Sequence, residues 1–288
     1  MSKQRIIVTV TDGSFATATG IHIVWRSLLR HRNDFAHEWS PVVLYPSWAW
    51  PPTQPCRVAL RGQRLVEIEQ QRHADPYAAK LVLADFISTL PDDSEILYLD
   101  YDHVCLAPFD PATPPAGTLN VGSRVGTLRF VRGGDSQERA SLLRQLLNGR
   151  QYNNSLVHGL CGTLRDATSR WNSAYSDLAG IVDPRVHEEV AFFASAVEAG
   201  VDVRPVSAGV QSEWADADSD ARLFHYGGES AQALALKRAL PTLMHPGGVQ
   251  QESIDLLSVD AVGRRVLQEL VALSNFPASS SDDGSVPS

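Results

Sequence analysis

The stretch ILYLDYDHV, residues 96–104, decides the fold prediction. Ile96 to Leu99 are apolar strand formers, and an unbroken run of such residues indicates a β-strand buried on both faces. Asp100 and Asp102 follow at once, and both can point beyond the strand only if the chain bends there. Their mutual repulsion is tolerable when a cation lies between them. The stretch therefore predicts a buried strand that ends in a cation site.

The position of the two aspartates and the chemistry of their carboxylates indicate which cation and which ligand the site would bind. Open α/β sheets bind ligands beyond the carboxyl ends of their strands, which is where Asp100 and Asp102 lie. Carboxylate oxygens suit hard divalent ions, and Mg²⁺ or Mn²⁺ keeps open positions for the phosphate oxygens of a substrate. The pair thus predicts a metal that binds a phosphorylated ligand. Two surface aspartates that end a strand by chance are the alternative.

Strands and helices alternate around this stretch. Arg5 to Thr11 (RIIVTVT) is a β-branched run that ends at the turn residues 12–14, and apolar residues at helical spacing follow. This order predicts an α/β protein with a mainly parallel central sheet covered by helices on both faces. The predicted strands lie at residues 5–11, 42–45, 95–99, 118–121, 128–131, 203–205 and 222–225, the predicted helices at 20–31, 78–90, 136–147, 164–178, 187–199 and 254–273, and an irregular loop at 45–55.

The composition of the 288 residues argues against several kinds of protein. The net charge is −8 and charges of both signs are mixed along the chain, so no nucleic-acid groove is expected. Cys56, Cys105 and Cys161 form no CxxC pair, which indicates buried, reduced thiols. No secretion signal and no apolar stretch of about 18 residues is visible. We expect a cytoplasmic protein without a transmembrane segment, with a disordered tail at residues 277–288.

The run LYLDYD, followed by Pro108, resembles the signature of GT-A fold glycosyltransferases. It is most similar to the glycosyltransferase family 8 group, which includes glycogenin and bacterial galactosyltransferases and whose strand ends YLDxD. TVTDGSF resembles that family's first strand and uridine-binding loop, Lys80 stands where related enzymes carry a basic residue, and FHYGG resembles the HxxG motif. The resemblance implies that Asp100, Asp102 and His225 bind the metal and that Thr9, Thr11, Asp12, Phe15, Lys80, Asp100, Tyr101 and Gly228 contact the donor.

Two further segments resemble sugar-binding and catalytic segments of the family. YNNSLVHGL is similar to its FNSG segment, which implies a catalytic-site position for Asn154, with Ser155 beside it, although Leu156 stands where glycine is usual. The alternative is an ordinary entry from a loop into a strand. VHEEVAFFASA is similar to an acidic pair that heads a helix, which implies that Glu188 contacts sugar hydroxyls and Glu189 lies nearest the anomeric carbon. Glutamates in a first helical turn are also favoured by the helix dipole alone.

By this resemblance the chain is a single Rossmann-like GT-A domain over residues 1–276, with a donor-binding half at about 1–110 and an acceptor-side half at about 111–276. The implied reaction moves a sugar from a UDP-sugar to a small-molecule or glycan acceptor with retention of configuration. Mn²⁺ or Mg²⁺ is the implied cofactor. The sequence departs from the family after HxxG, where the usual KPW segment is missing and Lys237 lies farther along a predicted helix.

The sequence leaves two other functions open. DYDHV also satisfies the DxDxV pattern of haloacid-dehalogenase-like phosphatases, although that motif normally opens its domain and about 95 residues precede it here. The missing KPW segment instead suggests a protein that binds a UDP-sugar without turnover. Trp48 and Trp50, in a proline-rich loop, either stack on an acceptor or pack on the protein body.

Overall fold

The structure of the protein is a computed structural model that describes residues 4–32, 35–72, 76–128, 137–213, 218, 220–227, 233–234, 236 and 261–274. The strands in these residues are β1 (Arg5–Val10), β2 (Ser40–Pro46), β3 (Arg64–Ile68), β4 (Glu95–Leu99), β5 (His103–Cys105), β6 (Thr118–Thr127), β7 (Arg150–Leu160), β8 (Asp202–Pro205), β9 (Gln211–Glu213) and β10 (Leu223–His225). The helices are α1 (Phe15–His31), α2 (Phe35–Glu38), α3 (Gln54–Ala59), α4 (Val82–Ser88), α5 (Gln137–Leu146), α6 (Cys161–Thr168), α7 (Trp171–Asp177), α8 (His187–Glu198) and α9 (Ala261–Ser274), with 3₁₀ turns at Ser47–Ala49 and Pro76–Leu81.

The central sheet has seven strands in the order β3-β2-β1-β4-β7-β6-β8. Its first four strands run parallel to one another, β7 is antiparallel to both of its neighbours, and β8 is parallel to β6. The strand predicted before the aspartates is β4, which lies in the middle of the sheet with Ile96, Leu97 and Leu99 fully buried. The predicted α/β class with a mainly parallel sheet is therefore confirmed. Because β1 and β4 are parallel neighbours, the loops that follow them meet at one edge of the sheet.

Helices cover both faces of this sheet because successive residues of each buried strand point to opposite sides. On one face, Ile96 and Tyr98 pack with apolar residues of α4, α6 and α8. On the other face, Leu97 and Leu99 pack with residues of α1. The three cysteines are free and buried, as predicted. Among the described helices, none has the length and apolarity that a membrane crossing requires.

A second sheet of three strands lies beyond the carboxyl end of β4. The chain turns at residues 100–102 and continues as β5, which pairs antiparallel with β10, and β9 pairs parallel with the other edge of β10. Helix α9 covers this sheet, where Val266 and Leu270 pack with Phe224. The bend expected at the two aspartates is thus present, and it moves the chain from the central sheet into the second sheet.

Several elements differ from their predicted bounds. Helix α1 begins at Phe15 rather than Gly20, because the side chain of Ser14 accepts a hydrogen bond from the backbone N–H of Thr17 (3.2 Å) and caps the helix. The helix predicted at 78–90 starts as a 3₁₀ turn, and the helix predicted at 164–178 is split into α6 and α7. The strand predicted at 118–121 continues to Thr127.

Some short elements are missed and some predictions lie outside the described residues. The strands β3, β5 and β9 have no counterpart among the predicted strands, and β7, which is longer, is foreseen only by the alternative of a loop that enters a strand. The loop predicted at 45–55 contains a 3₁₀ turn and the start of α3. Its tryptophans pack on the protein body, since Trp50 meets Tyr45 edge-on and Trp48 donates a hydrogen bond to Gln70 at 3.3 Å. Residues 129–131, 136, 254–260 and 277–288, to which predictions were assigned, lie outside the described residues.

Candidate active site

The turn after β4 is held against the first helix of the fold. A Cβ atom added at Gly20 of α1 would lie 2.4 Å from the carbonyl oxygen of Tyr101 and 2.8 Å from its ring. Only glycine allows α1 and the turn to approach this closely. The backbone N–H of Asp100 also donates to the carbonyl of Ser155 on β7 at 2.8 Å. The aspartates are therefore presented by a fixed turn.

Asp100, Asp102 and His225 form a compact cluster. One ligand atom from each lies within 4.8 Å of the others, and Nε2 of His225 is 3.1 Å from the Asp102 carboxylate. A Cβ atom at Gly227 would come within 2.4 Å of the same Nε2 and 2.9 Å of Asp102 Oδ2, so glycine keeps this space open. Two carboxylates and one imidazole are donors that suit Mg²⁺ or Mn²⁺. The three residues therefore fit the predicted divalent ion.

Lys80 and Tyr98 hold the first aspartate. Lys80 Nζ lies 2.8 Å from Asp100 Oδ2, and the hydroxyl of Tyr98 donates to Asp100 Oδ1. Burial alone would lower the pKa of Lys80, but the negative charges around it, that of Asp100 foremost, raise the pKa well above its ordinary value. Lys80 is therefore a partly buried cation that offsets part of the acidic charge at the site.

The acidic pair at the start of α8 reaches the same region. Glu188 Oε1 accepts a hydrogen bond from Asn154 Nδ2 at 2.8 Å, and its other oxygen lies 3.5 Å from Lys80 Nζ. Glu189 accepts from Gln151 Nε2 at 2.9 Å and from the backbone N–H of Asn154 at 3.4 Å. Burial raises the pKa of each glutamate to about 7. Glu188 is buried and Glu189 is half-buried, which is unusual for residues that serve only a helix dipole, because such glutamates normally lie in solvent.

Two adjoining cavities open onto these groups. The smaller has a volume of about 160 Å³ and the larger about 370 Å³. Glu189, His225 and Gly227 line both, so Glu189 stands where the cavities meet, whereas Glu188 lines only the smaller one. The predicted site residues on the smaller cavity are Lys80, Asp100, Tyr101, Asp102, Asn154, Glu188, Glu189 and His225.

The loop after β1 lies at the same edge of the sheet but lines neither cavity. Thr11 is buried and its hydroxyl lies 2.6 Å from that of Thr17, while Asp12 Oδ1 accepts from the backbone N–H of Ser14 at 2.9 Å. Phe15 packs in the same apolar cluster as Tyr101, which links this loop to the aspartate turn. Thr9 is a residue of β1 itself, and its buried side chain lies against apolar side chains of α1. Gly228 lies outside the described residues.

Several residues of the site are absent from the sequence prediction. Glu213 on β9 hydrogen-bonds Nδ1 of His225 at 2.9 Å, and Asn153, next to the predicted Asn154, lines both cavities. A signal for Asn153 was present, because YNNS contains two asparagines. Glu213 had no such signal, because β9 has only three residues (QSE), too few to show the alternation of apolar and polar residues that indicates a strand. Tyr77, Arg124, Gln151 and Arg185 also line the larger cavity.

The sequence matches no protein-family model and no curated protein. Among solved structures, the chain is similar to the galactosyltransferase LgtC in complex with donor and acceptor sugar analogs, with a TM-score of 0.53, 12% identity, and coverage of 94% of this chain and 97% of LgtC. An active-site variant of LgtC gives a TM-score of 0.51 at 14% identity, covering 93% and 95% of the two chains. The glycosyltransferase GlyE of Streptococcus pneumoniae TIGR4 gives 0.50 at 12% identity, covering 97% of this chain and 66% of GlyE. The resemblance found in the sequence is thus confirmed at the level of architecture: the chain has the GT-A fold of these glycosyltransferases.

Proposed function

We propose that the protein is a divalent-metal-dependent, retaining glycosyltransferase that moves a sugar from a UDP-sugar to an acceptor hydroxyl. The observation that carries the proposal is the cluster of Asp100, Asp102 and His225 at the carboxyl edge of the sheet in a GT-A fold. LgtC, which shares the fold, has been crystallised with donor and acceptor sugar analogs. The two adjoining cavities of this chain offer separate space for two such ligands.

The donor would lie with its nucleoside near the loop after β1 and its diphosphate at the aspartate turn. Asp100, Asp102 and His225 would hold Mn²⁺ or Mg²⁺, which when bound neutralises charge on the leaving diphosphate as a Lewis acid. Lys80 keeps Asp100 in place through its 2.8 Å ion pair. In this proposal, residues 1–110 provide most of the nucleotide contacts and residues 111–276 most of the acceptor side.

The sugar would occupy the smaller cavity and the acceptor the larger. Glu188 is tied to Asn154 and Lys80 and so presents a fixed acceptor for hydrogen bonds from sugar hydroxyls. Glu189 lies where the cavities meet, and it is the residue we place nearest the anomeric carbon. During transfer the bond from the anomeric carbon to the diphosphate oxygen breaks, and its electron pair leaves with UDP. A bond to the acceptor oxygen forms, and the proton of that hydroxyl passes to the diphosphate oxygen that received the electron pair.

Substitution of one metal ligand tests the proposal. We expect Asp102→Asn to lose at least about a hundredfold in UDP release from a panel of UDP-sugars with Mn²⁺, and to lose metal-dependent UDP binding, since a neutral amide is a poor ligand for a hard cation. Asp177→Asn, at an exposed aspartate of α7, is the matched control and should behave as wild type. Wild-type UDP release and UDP binding by Asp102→Asn would refute the assignment.

The UDP assays, together with a phosphatase assay, distinguish the transferase from a UDP-sugar-binding protein and from a phosphatase. Binding of UDP with Mn²⁺ but no UDP release from any donor would indicate a protein that binds without turnover. Hydrolysis of p-nitrophenyl phosphate that depends on Asp100 would indicate a phosphatase. No feature of the described residues favours either function over transfer, and the structures that share this fold are glycosyltransferases.

A further inference from the structure

Glu213 lies beside His225 on the neighbouring strand of the second sheet. β9 and β10 are parallel, and Glu213 and His225 are partners in register. Oε1 of Glu213 accepts a hydrogen bond from Nδ1 of His225 at 2.9 Å, and the Glu213 side chain is only 7% exposed. The other ring nitrogen, Nε2, is the one that lies 3.1 Å from Asp102. The two edges of the imidazole therefore have different roles.

The carboxylate of Glu213 is itself held from two directions. Asn153 Nδ2 donates to Oε1 at 2.5 Å, and the Arg124 guanidinium donates to Oε2 at 3.1 Å. Asn153 is fixed in turn, because its Oδ1 accepts from the backbone N–H of Ser155 at 2.7 Å. Glu213 cannot rotate away from the imidazole without losing both of these bonds.

The face of the His225 ring is fixed as well. The ring of His103 stacks on it, with centroids 4.8 Å apart and an interplanar angle of 25°. His103 is anchored at both nitrogens, with Nδ1 3.1 Å from the carbonyl oxygen of Asp100 and Nε2 3.0 Å from Nε2 of Gln211. Both the edge and the plane of the His225 imidazole are thus set by the protein.

We propose that Glu213 is a positioning residue, which keeps the proton of His225 on Nδ1 and leaves Nε2 as the nitrogen that binds the metal. The inference rests on the proposed function, because it requires the metal site. A coordinating nitrogen must be unprotonated, and a carboxylate that accepts from the remote N–H of a histidine ligand fixes its tautomer and orientation. Removing such a partner typically weakens metal binding by about ten- to a hundredfold.

The first test is the affinity of the whole protein for Mn²⁺ alone, measured from the electron paramagnetic resonance signal of free Mn²⁺. We expect Glu213→Gln to raise the Kd by about tenfold or more. Glu198→Gln, at an exposed glutamate of α8, is the matched control and should keep the wild-type Kd. A Kd for Glu213→Gln within about twofold of wild type overturns this inference and leaves the proposed function standing. No Mn²⁺ binding by the wild type would overturn both.

A second measurement separates positioning from support of the fold. With Cu²⁺ in place of Mn²⁺, electron spin echo envelope modulation detects the ring nitrogen remote from the metal, whose quadrupole coupling depends on the hydrogen bond that its N–H donates. We expect this coupling to change in Glu213→Gln and the signal to disappear in His225→Ala. A lower Tm with unchanged coupling and unchanged Mn²⁺ affinity would show that Glu213 only stabilises the fold.

Discussion

Gly227 follows β10 and gives the sharpest test of the site's geometry. A methyl group at this position would lie 2.4 Å from His225 Nε2 and 2.9 Å from Asp102 Oδ2. Comfortable contact between such atoms needs about 3.5 Å, so Gly227→Ala must displace the imidazole or the backbone by about 1 Å. Metal ligands tolerate only about 0.2 Å. The substitution should therefore disrupt the cluster without altering any of its donors.

The expected loss of activity follows from that displacement. A misplacement of about 1 Å at a reacting centre costs about a hundredfold, or about 2.7 kcal/mol of transition-state stabilisation. We expect Gly227→Ala to lower kcat/KM for UDP release from the preferred UDP-sugar by about this factor and to weaken Mn²⁺ binding. Because the His225 ring is itself held by Glu213 and His103, the same displacement should also lower the Tm without metal.

The matched control is Gly209→Ala, where the added methyl group would meet nothing closer than Asp218 Oδ2 at 3.8 Å. That variant should keep wild-type turnover, Mn²⁺ affinity and Tm. Wild-type turnover and Mn²⁺ affinity in Gly227→Ala would refute the argument that this glycine keeps the ligand cluster open. A loss of activity in Gly209→Ala of the same size would show that the assay reports general damage to the fold.

Two further predictions concern buried charges. Lys80→Met removes the cation 2.8 Å from Asp100, and the unpaired carboxylate should lower the free energy of unfolding in urea by about 3 kcal/mol; a loss below about 1 kcal/mol would contradict the pairing. Burial alone would raise the pKa of Glu95, but the hydrogen bond from His158 and the charge of Arg5 help to lower it to about 2 from the ordinary 4.5. Since the folded-state pKa of Glu95 is depressed, the ionised carboxylate stabilises the fold by up to about 3 kcal/mol above pH 4.5, and this stabilisation is lost as the pH falls towards 2. The difference in the free energy of unfolding between wild type and Glu95→Gln should therefore shrink over that range. A pH-independent difference would contradict this prediction.

The sequence predicted the first half of the fold because its strands are long apolar runs. Ile96 to Leu99 cannot form an exposed loop without leaving apolar surface in water, and the paired acids after them cannot lie in the interior unpaired. The first fact explains the buried strand, and the second explains the bend that carries the two aspartates beyond its end. The edge strand β3 was missed for the opposite reason, since a half-buried residue such as Leu65 and an exposed one such as Glu67 give a weak pattern.

The second half of the site was less predictable because its contacts join residues far apart in the sequence. His225 was placed with the aspartates by resemblance, and no local pattern indicated it. Glu189 was predicted, but its partner Gln151 depends on how β7 lies against α8. Tertiary hydrogen bonds of this kind leave no periodic signal, so Gln151 and Glu213 could be identified only once the strands were paired.

The second sheet explains how such distant residues form one site. Alternation along β10 sends Phe224 towards α9 and His225 towards the aspartates, and the register pairs His225 with His103 on one side and Glu213 on the other. A slip of one residue would reverse these directions and remove the imidazole from the cluster. The apolar contacts of Phe224 with Val266 and Leu270 resist that slip, because it would bring the imidazole against α9. Packing on the outer face of a three-residue strand therefore stabilises the geometry of the proposed metal ligands on its inner face.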